Sequence, residues 1–265
     1  MSPGPWGWGP SSIGTDVLHP DEPGLVLVRH GESLGNVADR RAREQGHPRL
    51  DLEWRDADVP LSDVGQEQAA AVGRFVAREK GTAPTVVVSS PFRRALDTAQ
   101  IVLATSGLDA EAVTDERLRE RELGVFDGLT GQGIRETFPE EAERRTHLGK
   151  FYYRPPGGES WCDVALRVRS VLVSLRAEYG TERLWVFSHQ AVIMSFRLVL
   201  ERLDEAKVLT IDSGTPVPNC SLTSYRWLGE HRAELVAYAD TTAVDQAQAP
   251  TTREPDAEAA EEEAS

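Results

Sequence analysis

The chain has 265 residues, of which 40% are hydrophobic, and it carries a formal net charge of −14 at pH 7. This length is enough for one large α/β domain to bury a sizeable core. The acidic balance argues against nucleic acid or an anionic membrane as the partner, so any local cluster of basic residues becomes informative.

The two ends differ in composition from the rest of the chain. Residues 1–20 are rich in Gly, Pro and Ser and contain Trp6 and Trp8, whereas residues 241–265 are polar and rich in Ala, Thr and Glu. Neither segment shows the periodicity of a packed helix or strand. We therefore expect both to be disordered, which leaves residues 21–240 as the folded domain.

The sequence predicts a cytoplasmic protein. The N-terminus lacks the basic start and apolar core of a secretory signal, and the apolar stretches are far shorter than a membrane span. The two cysteines, Cys162 and Cys220, are too few for a disulfide framework, and a bond between them is not needed.

The first predicted strand ends in Arg29-His30-Gly31. Its aliphatic run from Leu25 is bounded by Pro23-Gly24 and Gly31, which is typical of a buried parallel strand. Open α/β sheets bind ligands at the carboxyl ends of such strands. A guanidinium beside an imidazole favours the neutral, nucleophilic ring and suits a phosphoryl group. A purely structural histidine at a strand end is the alternative.

A second basic cluster follows the strand Val86 to Ser89. A helix is predicted to begin there, with Ser90 as N-cap and Pro91 in the first position. Arg93 and Arg94 then fall in its first turn, where they oppose the helix dipole unless an anion compensates them. The sequence therefore predicts an anion site at this helix start.

The charged run from Asp115 to Glu122 contains Glu120, which we would interpret from composition alone as a solvated charge. We interpret Arg117, Arg119 and Arg121 of the same run as surface charges.

Two basic residues in the segment between Gly128 and Trp161, Arg145 and Lys150, have two interpretations. They either hold a second anionic group of a substrate or are solvated charges. Ser160 is a plausible N-cap for a helix from Trp161 to Tyr179 whose apolar residues have helical spacing.

The predicted strand Leu184 to Phe187 also ends near a histidine, as the first strand does. His189 follows it, and a helix is predicted to begin near Ala191. Two final strands are predicted near Leu222 to Trp227 and Leu235 to Ala239. A further helix is expected from Ser62 to about Arg78. The alternation of strands and helices predicts a three-layer α/β/α sandwich with a mostly parallel sheet.

The combined motifs resemble those of the histidine phosphatase superfamily, whose members share the phosphoglycerate mutase-like fold. Order, spacing and strand context agree from about Leu25 to Ala239. The four motifs are Arg29-His30-Gly31, Ser90-Pro91 with Arg94-Ala95 and Thr98-Ala99, Leu118-Arg119-Glu120 followed by Gly124, and Ser188-His189.

The resemblance implies a catalytic domain in which His30 accepts the phosphoryl group and Glu120 protonates the leaving oxygen. Arg29, Arg94 and His189 would surround the phosphoryl group, and Asn36 fits an extended first motif whose amide contacts phosphate. Neither a cofactor nor a metal is implied.

Two positions depart from the usual pattern of the family. Gln190 replaces the usual Gly after the second histidine, as it does in the fructose-2,6-bisphosphatase domain, and we assign it to substrate binding. The segment Gly124 to Gly128 also differs from the usual motif of the family. This difference concerns local packing and does not affect the assignment of Glu120 as the acid. Tyr153 to Ser160 resembles the same fructose-2,6-bisphosphatase domain.

Three functions are consistent with these residues. We favour a phosphatase acting on a small phosphorylated metabolite, because the segment after Glu120 is short, whereas phosphoglycerate mutases resemble one another in a longer one that covers the site. The alternative is a bisphosphoglycerate-dependent phosphoglycerate mutase, which the pair Arg144-Arg145 weakly favours. A third alternative is a non-catalytic phosphate-binding or scaffold domain of the same fold.

Overall fold

A computed structural model describes residues 24–79, 81–229 and 232–254. The expected disorder of residues 1–20 therefore lies outside the described residues. The strands are β1 (Gly24–Arg29), β2 (Val86–Ser89), β3 (Ala112–Thr114), β4 (Arg183–Ser188), β5 (Leu222–Trp227) and β6 (Ala233–Asp240). The helices are α1 (Leu34–Glu44), α2 (Asp63–Arg78), α3 (Arg93–Ser106), α4 (Gly131–Thr137), α5 (Pro139–Leu148), α6 (Trp161–Tyr179), α7 (Gln190–Leu200), α8 (Glu205–Gly214) and α9 (Thr242–Gln246).

The six described strands form one sheet in the order β3-β2-β4-β1-β5-β6. The first four strands of this order are parallel, whereas β5 pairs antiparallel with β1, and β6 pairs antiparallel with β5 at the edge of the sheet. The central pair β1 and β4 is in register from Gly24 with Arg183 to Arg29 with Ser188. Consequently the residues that follow these two strands, His30 and His189, emerge side by side at one edge of the sheet.

Helices cover both faces of the sheet, as predicted. Leu25 and Leu27 of β1 belong to the core that contains α6 and α7, whereas Val26 and Val28 belong to the core with α2 and α3. This alternation explains why β1 is a continuous apolar run, since both of its faces are buried. The architecture is the expected three-layer α/β/α sandwich with a mostly parallel sheet.

The segment between Gly128 and Trp161 forms two short helices, α4 and α5, beside the carboxyl ends of the strands. Ser160 caps α6 as predicted, because its side chain accepts a hydrogen bond from the backbone N–H of Asp163. Phe126 of the unusual Gly124 to Gly128 segment is buried against Phe138 and Tyr153, so an aromatic contact holds this turn.

The chain beyond β6 differs from the expected disordered tail. Helix α9 packs on α2, and Ala243, Val244 and Ala249 join the core on that face of the sheet. Burial of these small apolar side chains compensates the loss of chain entropy that composition alone predicts to be uncompensated. The expectation of disorder is therefore corrected for residues 241–254, whereas residues 255–265 lie outside the described residues.

Cys162 and Cys220 are both free thiols. Across the described ranges, every helix is too short or too polar to cross a bilayer.

Candidate active site

His30 lies directly after β1, and its side chain is almost fully enclosed, with 3% exposed. Its Nδ1 lies 2.7 Å from the carbonyl oxygen of Gly31, which can only accept a hydrogen bond. The proton of the neutral ring therefore sits on Nδ1, and Nε2 keeps its lone pair. Burial, and then the positive charges of Arg94 and Arg29, hold the pKa of His30 well below its usual 6.5. His30 is thus an uncharged imidazole with a nucleophilic Nε2.

Close backbone packing holds the loop that follows His30. A Cβ atom on Gly31 would lie 2.5 Å from the carbonyl oxygen of Gly65, and one on Gly65 would lie 2.0 Å from that of Glu32. The N–H of Gly31 also donates to Oγ1 of Thr98 on α3, at 3.0 Å. Because neither glycine has room for a side chain, the start of α2 and the helix α3 together fix the position of His30.

His189 follows β4 and is fully buried beside His30, with 5.1 Å between the ring centroids. Its Nε2 is hydrogen-bonded to Oγ of Ser90 at 2.8 Å, whereas Nδ1 has no hydrogen-bond partner within the described ranges. Burial, followed by the charge of Arg94, also holds the pKa of His189 well below its usual range. Two uncharged imidazoles therefore lie together at the sheet edge.

Each of the two predicted phosphate-binding arginines contacts a carboxylate of this chain. Arg29 is 1% exposed and donates from Nη2 to Oε2 of Glu254 at 2.9 Å. Arg94 donates from Nη1 to the carboxylate of Asp56 at 2.9 Å and to its backbone carbonyl at 2.6 Å. Asp56 thus supplies the anion that a cationic first helical turn requires.

The predicted cap of α3 is wrong. The helix begins at Arg93, after Phe92, so Ser90 and Pro91 precede it. The hydroxyl of Ser90 instead accepts a hydrogen bond from the N–H of Phe92 at 3.2 Å and contacts the ring of His189. Ser90 therefore orients His189 rather than starting the helix.

Asn36 lies in the first turn of α1, where its Oδ1 accepts a hydrogen bond from the N–H of Ser33 at 2.9 Å. Its Nδ2 donates to Oε1 of Glu254. The buried Asn219 donates to the carbonyl of His30 at 3.0 Å and to Oδ1 of Asn36 at 3.4 Å. Asn219, which the sequence did not indicate, therefore links the first histidine to Asn36.

Glu120 lines the same cleft as His30. Burial raises the pKa of its carboxyl group above the usual range, although the N–H of Arg121 donates to Oε1 at 2.7 Å and opposes this effect. Arg167 of α6 donates to the backbone carbonyl of Glu120 at 3.2 Å and is paired with Glu159 at 3.0 Å. A held carboxyl group with a raised pKa has the property that a general acid needs.

One cleft of about 530 Å³ brings the predicted residues together. His189 lies behind His30 rather than on the cleft wall. The predicted site residues that line the cleft are Arg29, His30, Asn36, Arg94, Glu120, Arg145, Lys150 and Gln190.

The wall of this cleft also contains an ion pair. Nζ of Lys150 lies 3.2 Å from the carboxylate of Asp212, to which Nε2 of Gln190 also donates at 2.9 Å. Asp212 is 2% exposed, and its carboxylate neutralises the charge of Lys150 because the two groups are paired within the cleft wall. Arg145 lines the same cleft.

The interpretation of Arg121 as a surface charge is wrong, because it lines the cleft with its guanidinium 6.0 Å from the ring centroid of Trp161. Its place beside Glu120 was the only sequence signal. Arg119 pairs with Glu159 at 2.7 Å, and Arg117 pairs with Asp115 at 2.7 Å.

No group of three or more metal-ligating side chains occurs in the described part of the chain.

The model of the histidine phosphatase superfamily (branch 1) matches residues 25–241. The chain belongs to this superfamily. The matched range contains both histidines, both arginines and Glu120.

The chain is 34% identical over 199 residues to a 2,3-bisphosphoglycerate-dependent phosphoglycerate mutase of Sinorhizobium fredii, covering 73% of this chain and 87% of that one. Its fold is similar to a mycobacterial glucosyl-3-phosphoglycerate phosphatase, with a TM-score of 0.63, 29% identity and coverage of 82% and 99%. A structure described as mycobacterial hydrolase 1 gives a TM-score of 0.66, 28% identity and coverage of 82% and 98%. The relatives thus include both mutases and phosphatases of one superfamily.

Proposed function

We propose that the chain is a phosphatase that hydrolyses a small phosphate monoester through a phosphohistidine on His30. The observation that carries this proposal is that two groups lining one cleft have opposite pKa shifts: burial lowers the pKa of His30 and raises the pKa of Glu120. A nucleophile and an acid with these properties are what transfer of a phosphoryl group from an alkyl ester requires.

In the first step, Nε2 of His30 attacks phosphorus while the bond from phosphorus to the ester oxygen breaks. Glu120 gives its proton to the leaving oxygen. Arg29, Arg94 and Asn36 stabilise the charge that spreads over the non-bridging oxygens, with His189 behind His30. The products of this step are an alcohol, phosphorylated His30 and ionised Glu120.

In the second step, water attacks phosphorus and Glu120 takes a proton from it. The bond between phosphorus and Nε2 breaks, which releases inorganic phosphate and returns both residues to their starting states. The short helices α4 and α5 support this role for water, since in the structure they leave open a cleft of about 530 Å³. A mutase must instead exclude water from its phosphohistidine.

Phosphoglycerate mutase activity is the second candidate, because the Sinorhizobium fredii relative has that name. The phosphatase name of the structural neighbour supports the first candidate. A panel of phosphorylated metabolites assayed for phosphate release, beside an assay of 2- and 3-phosphoglycerate interconversion, distinguishes the two.

We predict that phosphate is released without added bisphosphoglycerate or divalent metal, and that EDTA leaves the rate unchanged. The reason is that histidine, the two arginines and Glu120 supply the nucleophile, the charge stabilisation and the acid. Loss of activity in EDTA that is restored by a metal would contradict this mechanism. Dominant bisphosphoglycerate-dependent interconversion with negligible phosphate release would establish the mutase. No turnover of any ester would support the non-catalytic alternative.

The basic residues Arg145 and Lys150 of the cleft wall give a further prediction for substrates with a second anionic group. Arg145→Ala should raise KM for such a substrate about 10-fold, because one charge-assisted hydrogen bond in ground-state binding is lost, and should spare p-nitrophenyl phosphate. Lys150→Ala should have a smaller effect, since Asp212 already neutralises Lys150. The matched control is Arg144→Ala, which removes an exposed charge outside the cleft. Equal effects of Arg144→Ala and Arg145→Ala would exclude a specific contact.

A further inference from the structure

The chain after α9 returns across the domain toward the cleft. The buried Ala249 anchors it, and the described part continues from residue 250 to Glu254. We call residues 250–254 the strap.

Specific hydrogen bonds fasten the strap to two residues beside the site. Nε2 of Gln68, on α2, donates to the carbonyl of Pro250 at 2.7 Å and to Oγ1 of Thr252 at 2.9 Å. The N–H of Asn219 donates to the carbonyl of Thr252 at 2.9 Å, and the Thr252 hydroxyl donates to Oδ1 of Asn219 at 3.0 Å. These bonds direct Glu254 into the cleft.

Both carboxylate oxygens of Glu254 are bound by groups expected to hold the phosphoryl group. Oε2 accepts from Nη2 of Arg29 at 2.9 Å, and Oε1 accepts from Nδ2 of Asn36. A carboxylate and a phosphoryl group are both recognised by such planar donors. Glu254 therefore occupies hydrogen-bonding positions that the substrate needs.

The binding groups do not depend on Glu254 for their orientation. Arg29 also donates from Nη1 to the carbonyl of Val217, and Asn36 is fixed through Oδ1 by Ser33 and Asn219. If Glu254 leaves, these contacts still aim both donors at the cleft. Glu254 is therefore a competitor for these donors. It is not a positioning residue, because removal of a positioning residue would disorder Arg29 and Asn36.

We propose that the strap is a built-in competitive inhibitor in which Glu254 imitates the phosphoryl group and must be displaced by the substrate. This inference rests on the proposed function for the identity of the displaced ligand. A docked strap lowers the fraction of molecules that can bind an anion, and the apparent affinity falls by the same factor. A doubly charged phosphoryl group can displace the singly charged carboxylate because it offers more charge and more acceptor oxygens to the same donors.

The test is the affinity of the full chain for orthovanadate, measured by isothermal titration calorimetry. Glu254→Ala should bind about 10-fold more tightly than the unmodified chain, which corresponds to a strap docked in about nine-tenths of the molecules. Glu254→Gln should shift affinity in the same direction. Thr252→Val, which removes the hydroxyl bonds of the strap, should give a smaller increase. Glu111→Gln, an exposed carboxylate outside the cleft, is the matched control and should bind as the unmodified chain does.

Unchanged or weaker binding by both Glu254 variants would overturn the strap proposal, as would the absence of orthovanadate binding in every variant. The outcome is separable from that of the proposed function. Tighter binding with no turnover of any phosphate ester would support the strap and contradict the phosphatase. Turnover of a phosphate ester with unchanged affinity of the Glu254 variants would support the phosphatase and contradict the strap.

Discussion

Replacing His30 by alanine should lower kcat/KM by at least about four orders of magnitude, because covalent catalysis and its supporting groups act as a unit. The neutral Nε2 is the atom that attacks phosphorus in the first step of the proposed mechanism. Phosphate release should be measured with p-nitrophenyl phosphate, whose phenolate leaves without a proton. With this substrate the loss of kcat/KM therefore reports the nucleophile and not the protonation of the leaving group.

The exposed His147 on α5 provides the matched control, since His147→Ala removes an imidazole outside the cleft. His147→Ala should retain the unmodified rate. A His30→Ala protein that is folded by circular dichroism and retains the unmodified turnover would show that the nucleophile is another group.

Glu120→Gln should lower kcat/KM for alkyl phosphates about 10² to 10⁴-fold, the usual range for a lost general acid. This constant reports the steps up to phosphorylation of His30, so the role of Glu120 as a base in the second step does not enter it. The substitution should lower kcat/KM for p-nitrophenyl phosphate much less. Glu116→Gln, an exposed carboxylate of the same segment, is the control and should affect neither substrate. Equal losses for the two substrates would mean that Glu120 does not protonate the leaving oxygen.

The pH dependence should follow from the same two groups. The pKa of His30 is lowered, so protonation should abolish nucleophilic attack only well below pH 6.5. The pKa of Glu120 is raised, so its acid form persists to higher pH than that of an ordinary carboxyl group and is lost as pH rises through that value. The kcat/KM for an alkyl phosphate should therefore show an alkaline limb that p-nitrophenyl phosphate lacks. The same alkaline limb for both substrates would assign it to another group.

The central pair of histidines could be predicted from the sequence because each follows a short aliphatic run. Parallel strands bring their carboxyl ends to one edge, and the observed register of Arg29 with Ser188 meets this expectation. Helix α6 also has the predicted bounds, since regular apolar spacing and the cap at Ser160 define it locally. These features depend on residues close together in the chain.

The anions around the arginines could not be predicted, because long-range contacts determine them. Glu254 is 225 residues from Arg29, and Asp56 is 38 residues from Arg94. Glu254 also lies in a segment whose polar composition favours disorder, and only a few small residues such as Val244 anchor it. Composition averages over such isolated anchors, so it cannot indicate a short docked segment.

The positions of the residues in the charged run before Gly124 could not be predicted from composition either. Glu120 and Arg121 directly follow Arg119, which pairs with Glu159, and only the fold shows which residues of the run line the cleft. The motif of the family identified Glu120, whereas nothing comparable identified Arg121 or the buried Asp212.

Trapping the phosphorylated enzyme tests the central claim most directly. Rapid quench of the enzyme with a labelled phosphate ester, without acid, followed by peptide mapping should place an acid-labile, base-stable phosphoryl group on His30. The His30→Ala protein should trap no label. Label on any residue other than His30, or turnover of His30→Ala at the unmodified rate, would contradict the phosphohistidine mechanism.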